Sequence, residues 1–279
     1  MDRADSCATL LAGHFARGGH LAVGLDPVPE RIPESVAPGA PAAERVVEFN
    51  RAIVAATAGL AAAYKPNSAF YEALGRDGFA ALEATVAAIR EAAPDAAVIL
   101  DAKRADIGST NAGYVAAAFD QLGADAVTVH PYLGGEALGP FLERSDKLVF
   151  VLARTSNPGA GELQDLVADG APLYRHVART VAANWNAAGN CGLVVGATYP
   201  EEMRAVREDI PTAMPILIPG VGAQGGDVSA VVAANRAAGS EAFLIAASRS
   251  IVYASGGEDF AEAARGAAQS LDTEIRAAK

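Results

Sequence analysis

Eight short apolar runs, each followed by a segment of helical composition, constrain this chain more than any other feature of its sequence. The runs are LAVGLDP (21–27), AAAYKPN (61–67), AVILDAK (97–103), DAVTVHP (125–131), LVFVLARTS (148–156), GLVVGAT (192–198), PILIPGVG (215–222) and EAFLIAAS (241–248). Their length and flanks fit strands buried on both faces, as in parallel sheets. Ala-rich segments with helical periodicity lie at 44–59, 78–92, 111–122, 135–144, 172–188, 200–208, 228–237 and 258–276, and Ala is the strongest helix former. Eightfold strand–helix alternation with short connections predicts an α/β protein, a (β/α)8 TIM barrel forming a single domain over 1–279. A doubly wound open sheet is the alternative. With 279 residues, half of them hydrophobic, the chain can bury a core of that size.

Two connections are longer than the rest, 27–43 (PVPERIPESVAPGAPAA) and 154–171 (RTSNPGAGELQDLVADGA). Both follow strands, so in a barrel both lie at the C-terminal face, where active sites are built. Their Pro and Gly content predicts loops that cover a ligand.

Charge narrows the partners. Lys and Arg number 22 against 33 Asp and Glu, a net charge of −11. A field of that sign argues against nucleic acid or anionic membrane, but a few basic groups can still make a positive pocket for an anionic small molecule. Cys7 and Cys191 are the only cysteines, with no metal-ligand spacing around them, so neither disulfides nor structural zinc are expected. The N-terminus has acids at positions 2 and 5 and no signal-peptide pattern, and no apolar run approaches spanning length. The expectation is a soluble, cytoplasmic protein.

The polar residues fall at the ends of the strands. These are Asp26 after the first, Lys65 and Asn67 after the second, Asp101, Lys103 and Asp106 after the third, and His130 after the fourth. Thr155, Ser156 and Asn157 follow the fifth, Gly220 to Gln224 the seventh, and Ser248 and Arg249 the eighth. In a barrel all of them converge on one mouth. Asp101 and Lys103 are two apart, so regular alternation points both to one side of the sheet. Lys65 on the neighbouring strand reaches the same side, and Asp106 lies beyond the strand end. A purely structural ion-pair network is the plainer reading of Lys65, Asp101 and Lys103. Its position counts against it, because a buried rim charges desolvation for little gain in stability.

The stretch IPGVGAQGGD (218–227) contains G-x-G-x-x-G. A dinucleotide fingerprint belongs with a first strand and needs an acid at the end of the next one. Here it follows the seventh strand, and the next ends in AASRS, with Arg249 where the acid should be. A Gly-rich turn after strand seven and a cation after strand eight make the usual barrel grip on phosphate. Gln224, Arg249 and loop amides are therefore expected to hold a phosphomonoester. His130, where packing and chemistry are equally open, is assigned no catalytic role; Trp185 and the two cysteines are read as structural.

LDAKRADIGST resembles the D-x-K-x-x-D-I-x-x-T signature of the orotidine 5′-phosphate decarboxylase family, and PGVGAQGGD followed by ASRSI resembles that family's phosphate-binding half. GLDP (24–27), YKPNSAFYE (64–72) and RTSNPG (154–159) match further family positions in the same order, and the long loops are similar to the longer bacterial subfamily. The resemblance runs from about residue 20 to 255. It implies decarboxylation of orotidine 5′-monophosphate to UMP and CO2, the last step of UMP synthesis, with no cofactor and no metal. Lys103 would protonate C6, Asp101 would lie against the substrate carboxylate, and Lys65 would orient Asp101 and hold the ribose. Asp26 would take ribose hydroxyls, Ser156 the pyrimidine edge, and Gln224 and Arg249 the phosphate, with Pro219 lining the pocket. Asp106, Ile107 and Thr110 would reach into the partner's site of a homodimer.

Three other activities fit parts of the pattern. A Schiff-base aldolase also uses a barrel lysine, but it needs that lysine deprotonated, which flanking acids oppose. A metal-dependent phosphosugar lyase needs acid ligands where strand two offers Lys65. A catalytically dead nucleotide-binding protein would have no reason to keep Lys65, Asp101, Lys103 and Asp106 intact.

Overall fold

A computed structural model describes residues 6–221 and 226–278. Eight parallel strands close into a barrel: β1 (Leu21–Leu25), β2 (Ala63–Pro66), β3 (Ala97–Arg104), β4 (Ala126–Val129), β5 (Leu148–Arg154), β6 (Cys191–Val195), β7 (Ile216–Pro219) and β8 (Phe243–Ala247). Each pairs with its neighbours in the chain, and β8 closes on β1 with Leu21 opposite Ile245. All eight predicted apolar runs are strands of this barrel, which rules out the open-sheet alternative. The predicted helical segments correspond to helices beginning at Ala42, Gly78, Gly108, Gly134, Leu173, Pro200, Val228 and Phe260.

The strands separate two layers by the period of two inherent in a pleated backbone. Ala22, Ala63, Ala97, Ile99, Ala126, Leu148, Phe150, Val194, Leu217, Leu244 and Ala246 form one buried cluster, the barrel interior. Their alternates, among them Val23, Tyr64, Val98, Leu100, Val127, Val129, Val151, Leu193, Ile216 and Ile245, form a second cluster with the helices. Every strand is thus apolar on both faces, which is why the runs show no polar alternation.

Small alanines inside the barrel leave its N-terminal end to be plugged by something else. A helix over Cys7–Ala16, not foreseen in the sequence, does this: Cys7, Leu11 and Phe15 join the interior cluster. Ser6 caps it by accepting the N–H of Thr9. Its placement at that end follows from Cys7 N–H donating to Asp146, just before β5, and from His14 bonding the carbonyl of Asp95, just before β3. Both cysteines are buried.

The two long connections are anchored. In 27–43, Ile32 and Val36 are buried, and the Arg45 guanidinium donates to the carbonyls of Ile32, Pro33 and Val36. The 154–171 connection, whose Pro and Gly content predicts a loop that covers a ligand, carries local structure of its own. It contains turns at Pro158–Ala160 and Gly161–Gln164, and an antiparallel ribbon pairs Val167–Ala168 with Ala171–Pro172. Arg154, buried at the end of β5, ion-pairs with Asp165 at 3.2 Å and lies 4.0 Å over the Tyr199 ring, tying this segment to the loop after β6. Among the described residues no helix is long and apolar enough to cross a membrane.

Candidate active site

The same alternation that lines the barrel interior delivers charge to its C-terminal mouth. Two residues past Ala63 is Lys65, two past Ile99 is Asp101, and two past Ala126 is Thr128. The Lys65 ammonium donates to Asp101 Oδ2 at 2.8 Å, and the Lys103 ammonium donates to Asp101 Oδ1 at 2.7 Å. Thr128 Oγ1 donates to the same Oδ1 at 2.9 Å, and Asn67 Nδ2 approaches Oδ2 at 3.5 Å. Both carboxylate oxygens are therefore occupied by donors. Lys65 and Asp101 are buried, whereas half of the Lys103 side chain is open to solvent at the mouth.

Burial alone would lower the Lys65 pKa, but the Asp101 and Asp26 carboxylates outweigh it and hold the ammonium above the ordinary lysine value. Burial alone would likewise raise Asp101. Lys65 and Lys103 reverse that and keep its carboxyl well below the usual range. The pH consequence has a definite sign. Because the folded pKa of Asp101 is depressed, the unfolded chain takes up the proton first as pH falls. The stabilisation is complete above about pH 4, the ordinary aspartate value, and is lost as pH falls toward the folded value. Asp101→Asn should therefore melt below the wild type at neutral pH, by about 3 kcal/mol for a broken buried pair. Thermal melts should show that gap closing below about pH 4; a gap that persists unchanged to pH 3 would contradict the assignment.

Regular alternation predicted Asp101 and Lys103 on one side. They do meet, by a different route. Along β3 Arg104 lies four positions beyond Leu100, while along β4 their partners Val129 and Val127 are only two positions apart. The extra length is a bulge, and within it Lys103 adopts φ +47°, the left-handed region. A lysine held there costs about 1–3 kcal/mol of backbone strain, and such residues persist only where their surroundings enforce them.

The other expected residues are distributed around this array. Asp26, after β1, is fixed from behind by two tyrosines that the sequence did not single out. Tyr71 donates to the carbonyl of Leu25, and Tyr253 Oη donates to the carbonyl of Asp26 and accepts the N–H of Val28. Asp26 Oδ1, Thr198 Oγ1 and Ser248 Oγ are buried at the ends of β1, β6 and β8 with no partner among the described residues. Buried polar atoms are nearly always satisfied, so these three mark the mouth as the place where a polar ligand would complete the bonding. Gly24 lets β1 and β8 approach there, since a Cβ would lie 2.6 Å from that of Ser248. Ser156 and Pro219 are half-buried at the ends of β5 and β7, and Arg249 is exposed on the short helix Arg249–Val252 after β8. Gln224 lies outside the described residues.

Among the described residues Asp106 forms no ion pair with Lys65 or Lys103. Its carboxylate accepts the N–H of Ile107 at 2.6 Å, and buried Asn111 clamps its backbone by accepting the Asp106 N–H and donating to its carbonyl. Ile107 and Thr110 point outward, and Ile107 is 60% exposed. Tyr132 and Leu133, after the neighbouring β4, are exposed as well, Tyr132 at 87%. Large apolar side chains grouped at the rim of a site are the sort of surface that another chain covers.

The model of the orotidine 5′-phosphate decarboxylase / HUMPS family matches residues 19–265. An orotidine 5′-phosphate decarboxylase of Herpetosiphon aurantiacus is 53% identical over 252 residues, covering 90% of each chain. One from Cellvibrio japonicus is 49% identical over 259 residues, covering 93% of each. The structure of Leishmania donovani OMP decarboxylase superposes with a TM-score of 0.82 at 38% identity, covering 97% of both chains.

Proposed function

The chain belongs to the orotidine 5′-phosphate decarboxylase / HUMPS family, and we propose that its site decarboxylates orotidine 5′-monophosphate to UMP and CO2 with Lys103 as the proton donor. Among the activities in that family, the carboxy-lyase reading is favoured by the relatives of about half identity over nearly the whole chain. The single observation that carries the mechanism is the Lys65–Asp101–Lys103 array, in which one carboxylate is gripped by two ammoniums at 2.8 and 2.7 Å.

Breaking the C6–carboxylate bond releases CO2 and leaves an electron pair on C6 that the pyrimidine ring cannot delocalise well. An ammonium fixed beside that carbon stabilises the pair and then transfers a proton to it, after which solvent reprotonates the amine. Asp101 does two things here. It aims the Lys103 ammonium, and it remains ionised next to the substrate carboxylate. Two such charges about 4 Å apart repel by roughly 4 kcal/mol at an effective dielectric near 20, and the repulsion is relieved as CO2 leaves. We rank this below carbanion stabilisation as a source of rate.

Lys65 serves as counter-ion to Asp101 and reaches toward the ribose with Asp26, whose Oδ1 is buried and unpartnered. Ser156 takes the pyrimidine edge, and Pro219 lines the pocket. Arg249 and Gln224, with the Gly-rich segment that follows β7 in sequence, hold the phosphate; its binding energy, remote from the reacting carbon, assists the chemistry by fixing the base in place. Asp106, Ile107 and Thr110 complete the site of a second copy across a homodimer, a reading supported by the exposed Ile107, Tyr132 and Leu133 at the rim. The expected setting is the cytoplasm.

The reaction is tested by incubating purified protein with orotidine 5′-monophosphate and resolving the nucleotides chromatographically. Stoichiometric conversion to UMP is the expected result. Nucleotide left intact by folded protein would overturn the reading.

A further inference from the structure

We propose that Thr128 is a positioning residue for Lys103, acting by holding the β3 bulge in its left-handed form. The inference rests on the decarboxylase reading and extends it to a residue that touches no reacting atom. Where β3 advances four positions against two along β4, the bulged backbone loses its regular ladder partners. Thr128 lies between Val127 and Val129, directly opposite that stretch. Its Oγ1 accepts the N–H of Lys103 at 3.0 Å and donates its own proton to Asp101 Oδ1 at 2.9 Å. The Lys103 ammonium uses the same Oδ1, at 2.7 Å.

The hydroxyl of Thr128, a residue only 1% exposed, therefore ties the strained backbone of Lys103 to the carboxylate that its own side chain grips. Backbone amide, hydroxyl, carboxylate and ammonium form a closed ring of contacts, and the positive φ of Lys103 is the conformation that closes it. Even a part-buried amide left without an acceptor is unfavourable. Without the hydroxyl the bulge is free to relax toward an unstrained φ, carrying the ammonium away from its place beside Asp101. Small displacements of a reacting group reduce rate far more than they reduce binding.

Thr128→Val keeps shape and strand propensity and removes only the hydroxyl, while Thr128→Ser keeps the hydroxyl. Steady-state decarboxylation and UMP affinity are measured for wild type, both variants and Thr128→Ala. The expected result is kcat reduced by about 30- to 100-fold in Thr128→Val and Thr128→Ala, with KM and the UMP Kd within about threefold of wild type. Thr128→Ser is expected to return to within about threefold of wild-type kcat. A Thr128→Val kcat within about twofold of wild type would overturn the inference, as would a Ser variant as impaired as the Val one. Loss of UMP affinity in step with kcat, or failure of both Val and Ala variants to fold, would assign Thr128 to the scaffold and overturn it too. Absence of decarboxylation in the wild type is a separate outcome that removes the functional reading itself.

Discussion

Lys103→Ala is expected to lose decarboxylation by on the order of 10⁴-fold or more in kcat/KM, while UMP binds within about threefold of the wild-type affinity. The substitution removes two contributions at once. A positioned proton donor contributes about 10²–10⁴ in rate, and a preorganised charge at the developing carbanion contributes about 10²–10³. Both act on one atom in one step, so they do not multiply in full. The fold should tolerate the change, because Lys103 is half exposed and Lys65 still neutralises Asp101 from the buried side at 2.8 Å. A melt close to wild type together with lost turnover therefore separates chemistry from stability. Residual turnover above about one-tenth of wild type would remove Lys103 from the role of proton donor.

The second large effect is restoration of activity by mixing two inactive variants. Within one chain the Asp106 carboxylate accepts its own Ile107 amide and forms no ion pair with Lys65 or Lys103 among the described residues. If Asp106 serves the partner's site, a dimer of Lys103→Ala with Asp106→Ala holds one site with both defects and one with neither. Random reassortment makes about half the dimers mixed, so an equal mixture, denatured and refolded together, should regain about a quarter of the wild-type activity. Each variant refolded alone should stay inactive. A mixture no more active than its components would mean that Asp106 acts within its own chain or that the sites are not shared.

The barrel was legible because each strand is apolar on both faces, so eight runs of similar length stand out from Ala-rich helices. The helix over Cys7–Ala16 was missed because its three buried residues, Cys7, Leu11 and Phe15, make a stripe too short to distinguish from a tail. The charges of the site were legible because a barrel mouth collects polar strand ends, and Lys65, Asp101 and Lys103 meet there as their positions imply. The manner of their meeting was not legible. A period-two reading assumes a regular strand, whereas β3 bulges after Leu100 and Lys103 takes a positive φ. Thr128 was passed over for a related reason: in a run such as AVTV, threonine reads as an ordinary strand former. Its inward phase, two residues after Ala126, was the available signal. Tyr71 and Tyr253 hold the Asp26 turn through backbone carbonyls far away in sequence, and only the closed barrel brings them together. His130, assigned no catalytic role from the sequence, accepts the N–H of Tyr132 at 3.4 Å in the turn after β4.

The central claim is that an ammonium–carboxylate array, with no metal, carries the carbanion chemistry. Its most direct test is the loss of orotidine 5′-monophosphate absorbance followed with wild-type protein in excess EDTA and again with added magnesium. The account predicts the same rapid conversion to UMP in both. Turnover abolished by EDTA and restored by magnesium would contradict it.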